Sequence, residues 1–499
     1  METSSGHGHL CLEIVVRDAG SSLFGDLVNP AWQRGLALPK DLRTYLRQLH
    51  EKAPGELRRV SREVSHEFEP IALTTKMDRE GIHPAVLFER VKGYEFPVIA
   101  NLLTNRKKLA VALDTTEDRV PEVLASREVN RIPPRRVETG PVKDVIYVGD
   151  EADLGHLPII LHYERNDAPY VTMGVLVAKD PETGAFNLGL YRNKLISRNR
   201  LGVYYSWGKR LQYMHRKAEA RNEPLECALV IGMHPALHMA SQSQITRKDG
   251  SDEYEVAGGI LGEAVEVVRC ETVGVDVPAH AEIVIEGRLL PHVRQREGPF
   301  GEYHRYYGQI VDAPEFEVTA ITHRRDAIYH NVGQYVEQVI LSGIPNEGHL
   351  LRELRKFVPT VRAVRVPLSG VLLHAYIQME KVNEGDAKNV LMGALTRTPW
   401  IKHAFAFDPD IDITDDDEVL WALSTRVVPE RDIFFAPGAR GNRLDPTTYV
   451  LTRLARDGMV TKMGVDATVP IGYEDPFPRR ARIPGVEDLR LEDYLTGRE

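Results

Sequence analysis

Phe186-Asn187-Leu188-Gly189-Leu190-Tyr191-Arg192 alternates between two kinds of position, the period-two signature of a strand. Phe186, Leu188 and Leu190 share one face; Asn187, Gly189 and Tyr191 share the other. Arg192 has the wrong parity to join Asn187. If both serve one site, the strand must end or bulge near Tyr191. Taken alone, the stretch also reads as a half-buried strand with an exposed arginine. Segments of similar character lie around it, at 170–177, 228–231, 281–289 and 316–322. Turn-formers such as Asp180-Pro181-Glu182-Thr183-Gly184 separate them, and a helix over 208–221 interrupts them. The middle of the chain therefore reads as a β-barrel or sandwich with inserted helices.

Outward from that middle the pattern changes. Residues 1–38 are rich in Gly, Ser and Pro without periodicity, and read as an irregular extension. Leu42, Tyr45, Leu46 and Leu49 then repeat at helical spacing behind Asp41, which predicts an amphipathic helix with an acidic first turn. A short strand follows Gly55. Arg131-Ile132-Pro133-Pro134-Arg135-Arg136 reads as a linker. Beyond about 331 the character is α/β: helices over 348–357 and 386–396, a strand over 403–408, and a helix capped by Thr414 and Asp417. A last helix is expected over 488–495.

The formal net charge of −9 disfavours nucleic acid or an anionic membrane as partner. Cys11, Cys227 and Cys270 form no C-x-x-C pair, so they read as buried thiols in a reducing compartment. No apolar run approaches the ~18 residues of a membrane span, and the N-terminus lacks a signal-peptide pattern. A cytoplasmic location is expected.

Glu297-Gly298-Pro299-Phe300-Gly301-Glu302 forbids a regular helix or a central strand, so it is a loop carrying two carboxylates. Such a pair suits acid–base work if burial separates the two pKa values; a surface turn with two solvated glutamates is the competing reading. Glu253 stands before the apolar segment Val256-Ala257-Gly258-Gly259 and reads, by itself, as solvated. Walker A, H-E-x-x-H, G-x-S-x-G and complete G-x-G-x-x-G motifs are all missing.

Together these stretches resemble the UbiD-type decarboxylases, which use prenylated FMN. The likeness runs from about residue 40 onward. Asn187 to Arg192 is similar to that family's metal-and-flavin strand, Glu253 to its metal-binding glutamate, and Glu297 to Glu302 to its acidic loop. Asp408-Pro409-Asp410-Ile411-Asp412, Val419 to Arg426 and Lys462 to Thr468 are similar to its C-terminal signature.

The resemblance implies an α/β (α+β multidomain) chain. A central flavin-binding split β-barrel over 129–330 would be flanked by an N-terminal α/β domain over 39–128 and a C-terminal α/β domain over 331–499. It implies a reversible non-oxidative decarboxylase of an α,β-unsaturated or (hetero)aromatic carboxylic acid, with Arg192, Glu297 and Glu302 as catalytic residues and Glu302 as proton donor. Asn187, Leu190, Tyr191, Arg192, Lys209, Arg210 and Glu253 would bind prenylated FMN. Asn187 and Glu253 would bind Mn2+ or Mg2+, with K+ a further candidate ion. In one branch of the family a histidine completes the metal site; here Lys209-Arg210 occupies that place, and Arg210 has no lone pair for a metal. Both cations are expected at the flavin phosphate instead, and His215, one turn on, is a poor substitute ligand.

Tyr303 is the first candidate for substrate contact. Tyr335, Phe434 and Phe435 follow, with core packing an equal or better reading for the phenylalanines. The implied partners are a small unsaturated or aromatic acid, a flavin prenyltransferase that supplies the cofactor, and further copies of the chain in a homodimer or larger homo-oligomer. Competing readings are an FMN-dependent oxidoreductase, a carboxylase running the reverse reaction, and a non-catalytic subunit that kept the fold.

Overall fold

Leu190 ends one strand and Arg192 begins the next, yet the two strands lie near opposite ends of a nine-stranded sheet. Two residues of chain reach only about 7 Å. The sheet must therefore curl until its ends approach each other, and the result is a half-barrel. Its order is Tyr170–Val171, Arg192–Ser197, Arg200–Tyr204, Val311–His323, Ile283–Glu297, Leu225–Ile231, Val175–Lys179, Phe186–Leu190, with Val145–Val148 paired beside Val311–His323. The break expected near Tyr191 is thus the corner that closes the sheet.

The computed structural model describes residues 39–205, 208–243, 252–333, 335–448, 458–473, 477–478, 480–481 and 483–494. The extension 1–38, with Cys11, lies outside them. Cys227 and Cys270 are buried free thiols. Among the described residues no helix is long and apolar enough to cross a membrane.

The N-terminal unit is built on the helix Leu42–Lys52 and a four-stranded sheet, Leu57–Val60, Ala85–Phe88, Val98–Ala100 and Tyr329–His330. The last strand comes from beyond the barrel, so this unit is completed by chain that returns to it. Asp41 is the N-cap rather than part of an acidic first turn; its carboxylate accepts from Thr44 N at 2.8 Å. Leu42, Tyr45, Leu46 and Leu49 are buried, as the spacing predicts, in a core shared with barrel residues such as Val175, Val177 and Val230.

The C-terminal unit is a five-stranded sheet, Val361–Arg365, His374–Met379, His403–Phe407, Met459–Asp466 and Ile433–Arg440, covered by helices Asp386–Arg397 and Asp416–Arg426. The helix expected over 348–357 in fact runs Tyr335–Arg355. Gly343 and Pro345 obscure its first half, since both disfavour a helix interior, but burial on most of its length outweighs that cost. Beside the proline, Asn346 Nδ2 donates to Ser342 O at 2.8 Å.

Two further expectations are corrected. The cap of Asp416–Arg426 is Asp415, which accepts from Asp417 N at 2.9 Å, whereas Thr414 turns to Asp412. The C-terminal stretch forms two 3-10 turns, Val486–Asp488 and Leu491–Asp493, instead of a helix; Leu495 lies outside the described residues. Leu489, Leu491 and Tyr494 are exposed, so no packed face supports so short a helix.

Candidate active site

The long strand Ile283–Glu297 delivers Glu297 to the barrel interior, where it is 0% exposed. The chain then turns at Gly298, whose φ of 86° suits glycine, and a Cβ there would come within 2.8 Å of Gln309 O. Gly301 is equally constrained, because a Cβ would meet the Tyr163 ring at 2.5–2.8 Å. Two backbone bonds fold the loop on itself: Glu302 N donates to Tyr306 O at 3.0 Å, and Gly308 N to Phe300 O at 2.9 Å. Glu302 is thereby buried as well.

Both carboxylates converge on Arg192. Its Nε donates to Glu297 Oε1 at 2.7 Å and its Nη2 to Glu297 Oε2 at 2.8 Å, a two-pronged pair. Its Nη1 donates to Glu302 Oε1. The guanidinium lies over the Tyr204 ring at 4.0 Å and near Phe300 at 5.3 Å. Burial works against the charge on Arg192, but Glu302 and Glu297 hold its pKa above the ordinary value. Burial raises the Glu302 carboxyl above the usual carboxylate range against the pull of Arg192, and the negative Glu297 nearby adds to the rise.

This triad opens on a cavity of about 150 Å³ whose lining includes Leu190, Tyr191, Arg192, Glu302, Tyr303 and Trp400. Tyr303, the first substrate-contact candidate, lines it and is held by Asn442 Nδ2 at 2.7 Å. The other three do not line it. Tyr335 stacks under Arg305 at 4.8 Å, Phe434 packs on the C-terminal core, and Phe435 is 65% exposed. Neighbouring positions on a strand face opposite ways, which separates the two phenylalanines.

Several lining residues escaped the sequence reading. Gln338, Leu341 and Ser342 come from one face of Tyr335–Arg355, a helix whose first half was not foreseen. Tyr204 and Trp400 carry no local signal beyond being aromatic.

A second, smaller cavity of about 30 Å³ adjoins the first, sharing Leu190, Tyr191, Lys209 and Gln242. Asn187, Arg210, Ser241, Ser243 and Glu253 complete its polar lining. Arg210 opens the helix Arg210–Ala220, and Glu253 opens the helix Glu253–Leu261. Glu253 is buried and paired, not solvated: Arg210 Nη1 lies 3.0 Å from each of its oxygens, and Leu188 N donates to Oε2 at 3.3 Å. Asn187 Nδ2 is buried without a hydrogen-bond partner. His215 takes no part, since its ring is engaged by Tyr205 Oη at 2.8 Å and Leu290 O at 3.1 Å.

An anionic flavin phosphate fits this niche: two cations and an unsatisfied amide N–H line it. A divalent ion on Asn187 and Glu253 does not. Arg210 Nη1 already spans both oxygens of Glu253, and a guanidinium has no lone pair to offer an ion in that position. Arg210, expected at the phosphate alone, instead also spans the carboxylate on which the ion would rest.

Comparisons with known proteins find likeness along most of the chain. Residues 49–128, 135–335 and 339–467 match the N-terminal, Rift-related and C-terminal domains of 3-octaprenyl-4-hydroxybenzoate carboxy-lyase, UbiD. The chain is 38% identical over 443 residues to an anhydromevalonate phosphate decarboxylase of Methanothermobacter thermautotrophicus, covering 88% of this chain and 100% of the relative. Among solved structures it is similar to the UbiD-class enzyme HmfF from Pelotomaculum thermopropionicum in complex with FMN, with TM-score 0.84, 42% identity, and 91% and 100% of the two chains covered. An evolved dimeric form of HmfF in complex with prFMN gives TM-score 0.82 and 39% identity, covering 92% and 100%.

Proposed function

The chain belongs to the UbiD family of carboxy-lyases, and on that premise we propose that it decarboxylates an α,β-unsaturated or (hetero)aromatic carboxylic acid without net oxidation, with Arg192, Glu297 and Glu302 as its catalytic group. The observation that carries this reading is the buried convergence of the two glutamates on one guanidinium at the wall of a cavity.

Three contacts to glutamate leave two of the five N–H donors of Arg192 for an incoming carboxylate. Glu297 holds the guanidinium plane and Tyr204 supports its face. The same pairing weakens the grip on the substrate carboxylate, which must not be held so well that neutral CO2 is slow to leave. With both glutamates ionised the triad carries −1, in a buried setting that disfavours net charge. A proton on Glu302 removes the imbalance and makes it the acid that replaces CO2 on the substrate carbon.

No side chain here accepts the electron pair left by departing CO2; prenylated FMN, when bound, supplies that sink. Lys209, Arg210 and Asn187 would hold its phosphate, with Leu190 and Tyr191 along its path between the two cavities. The cofactor would come from a flavin prenyltransferase.

The test is to make the protein alongside such a prenyltransferase and present it with cinnamic, hydroxybenzoic and furoic acids and anhydromevalonate phosphate in D2O. The expected result is CO2 release, with deuterium at the carbon that lost it and an extra C5 unit on the extracted flavin. Loaded protein that releases CO2 from none of these acids overturns the proposal.

A further inference from the structure

Arg210 Nη1 lies equally far, 3.0 Å, from both oxygens of Glu253. A donor so placed sits astride the carboxylate, where an ion chelated by both oxygens would also sit. With Leu188 N on Oε2, three donor contacts already satisfy this buried group. Removing its partner would leave an uncompensated buried charge.

The rest of the niche is donor-rich rather than ligand-rich. Lys209 and Arg210 bring positive charge, and Asn187 contributes a buried Nδ2 with no partner. No side-chain hydrogen bond from the N-cap Lys209 caps Arg210–Ala220, and the positive end of this 11-residue helix favours an anion. Counting Lys209, Arg210 and Glu253, the described lining carries a net +1. A hard divalent cation seeks six or so oxygen ligands and would meet two fixed cations here. A phosphate monoester meets N–H donors and a complementary charge.

We propose that Arg210, locked to Glu253, takes the place of a divalent ion in this chain, so that the flavin phosphate is held by protein cations and cofactor binding is independent of Mn2+ or Mg2+. The inference rests on the reading that the flavin phosphate occupies this niche. It makes Arg210 a binding residue whose role is fixed by the glutamate behind it.

The experiment is FMN binding to the full-length protein, followed by quenching of flavin fluorescence, with EDTA or with added Mn2+, and with metal content measured by mass spectrometry. The expected wild-type result is the same Kd in both conditions and far less than one divalent ion per bound flavin. R210M should weaken FMN binding tenfold or more. R210H, which restores a lone-pair donor, should bind FMN better when Mn2+ is present and should retain the ion. Stoichiometric metal in the wild type, or FMN lost on chelation, overturns the inference; should R210M fail to fold, this wild-type arm still decides. Loaded, metal-free protein that turns over no acid would support this inference while overturning the decarboxylase reading. Failure to bind FMN under any condition overturns both.

Discussion

Two neighbouring cavities share Leu190, Tyr191, Lys209 and Gln242, yet their charges are arranged in opposite senses. In the larger, one guanidinium faces two carboxylates: Arg192 against Glu297 and Glu302. In the smaller, one carboxylate faces two cations: Glu253 against Arg210, with Lys209 beside it. Burial disfavours net charge in both, and each has one way to relieve it. The first would be neutralised by a proton, which suits the glutamate whose pKa is raised. The second would be neutralised by an anion. The same pair of residue types thus suits a proton in one place and, under the proposal above, an anion in the other.

The comparison breaks most sharply at Glu302. E302Q keeps the shape and the hydrogen bond but has no acidic proton, and turnover should fall by about 10²–10⁴-fold. Flavin bound per protein should be unchanged, because the smaller cavity is untouched. Near-normal turnover in E302Q would show that the proton comes from elsewhere.

R192K tests the other half of the triad. A lysine keeps the charge but cannot make the two-pronged pair with Glu297 while reaching Glu302. Losing charge-assisted bonds worth about 1.5–3 kcal/mol should slow kcat/KM by roughly 10- to 100-fold. An unchanged kcat/KM would mean that the fork is not used in the reaction.

The smallest expected effect is one of pH. Burial lifts the Glu302 pKa, so the protonated, donating form is present below that raised value and is lost as pH rises through it. As pH rises from the ordinary carboxylate range through that raised value, kcat should decline with a single-proton limb, and E302Q should lack that limb in its residual rate. A wild-type profile flat across the same range would remove Glu302 from the proton-donor role.

Much of this was legible before any coordinates. The alternation over 186–192 and its parity conflict at Arg192 already required a break at Tyr191. The glycines and proline at 298–301 required a loop between two acids. What stayed hidden has physical causes. Tyr335–Arg355 is held by burial that no local propensity reports, so Gln338, Leu341 and Ser342 could not be assigned to the cavity wall. Phe434 and Phe435 looked alike as a pair, and only the sheet showed one packed and the other exposed.

Covalent parity, turn chemistry and the identity of the charged side chains are properties of neighbours along the chain, and the sequence alone determined them. It could say that Arg192, Glu297, Glu302, Arg210 and Glu253 were worth watching. Which acid meets which base is decided across as many as 110 positions of separation, as between Arg192 and Glu302. Only the curled sheet decides that, because burial acts on whatever the fold brings together. That is why Glu302 meets Arg192 beside a second carboxylate, and Glu253 meets Arg210.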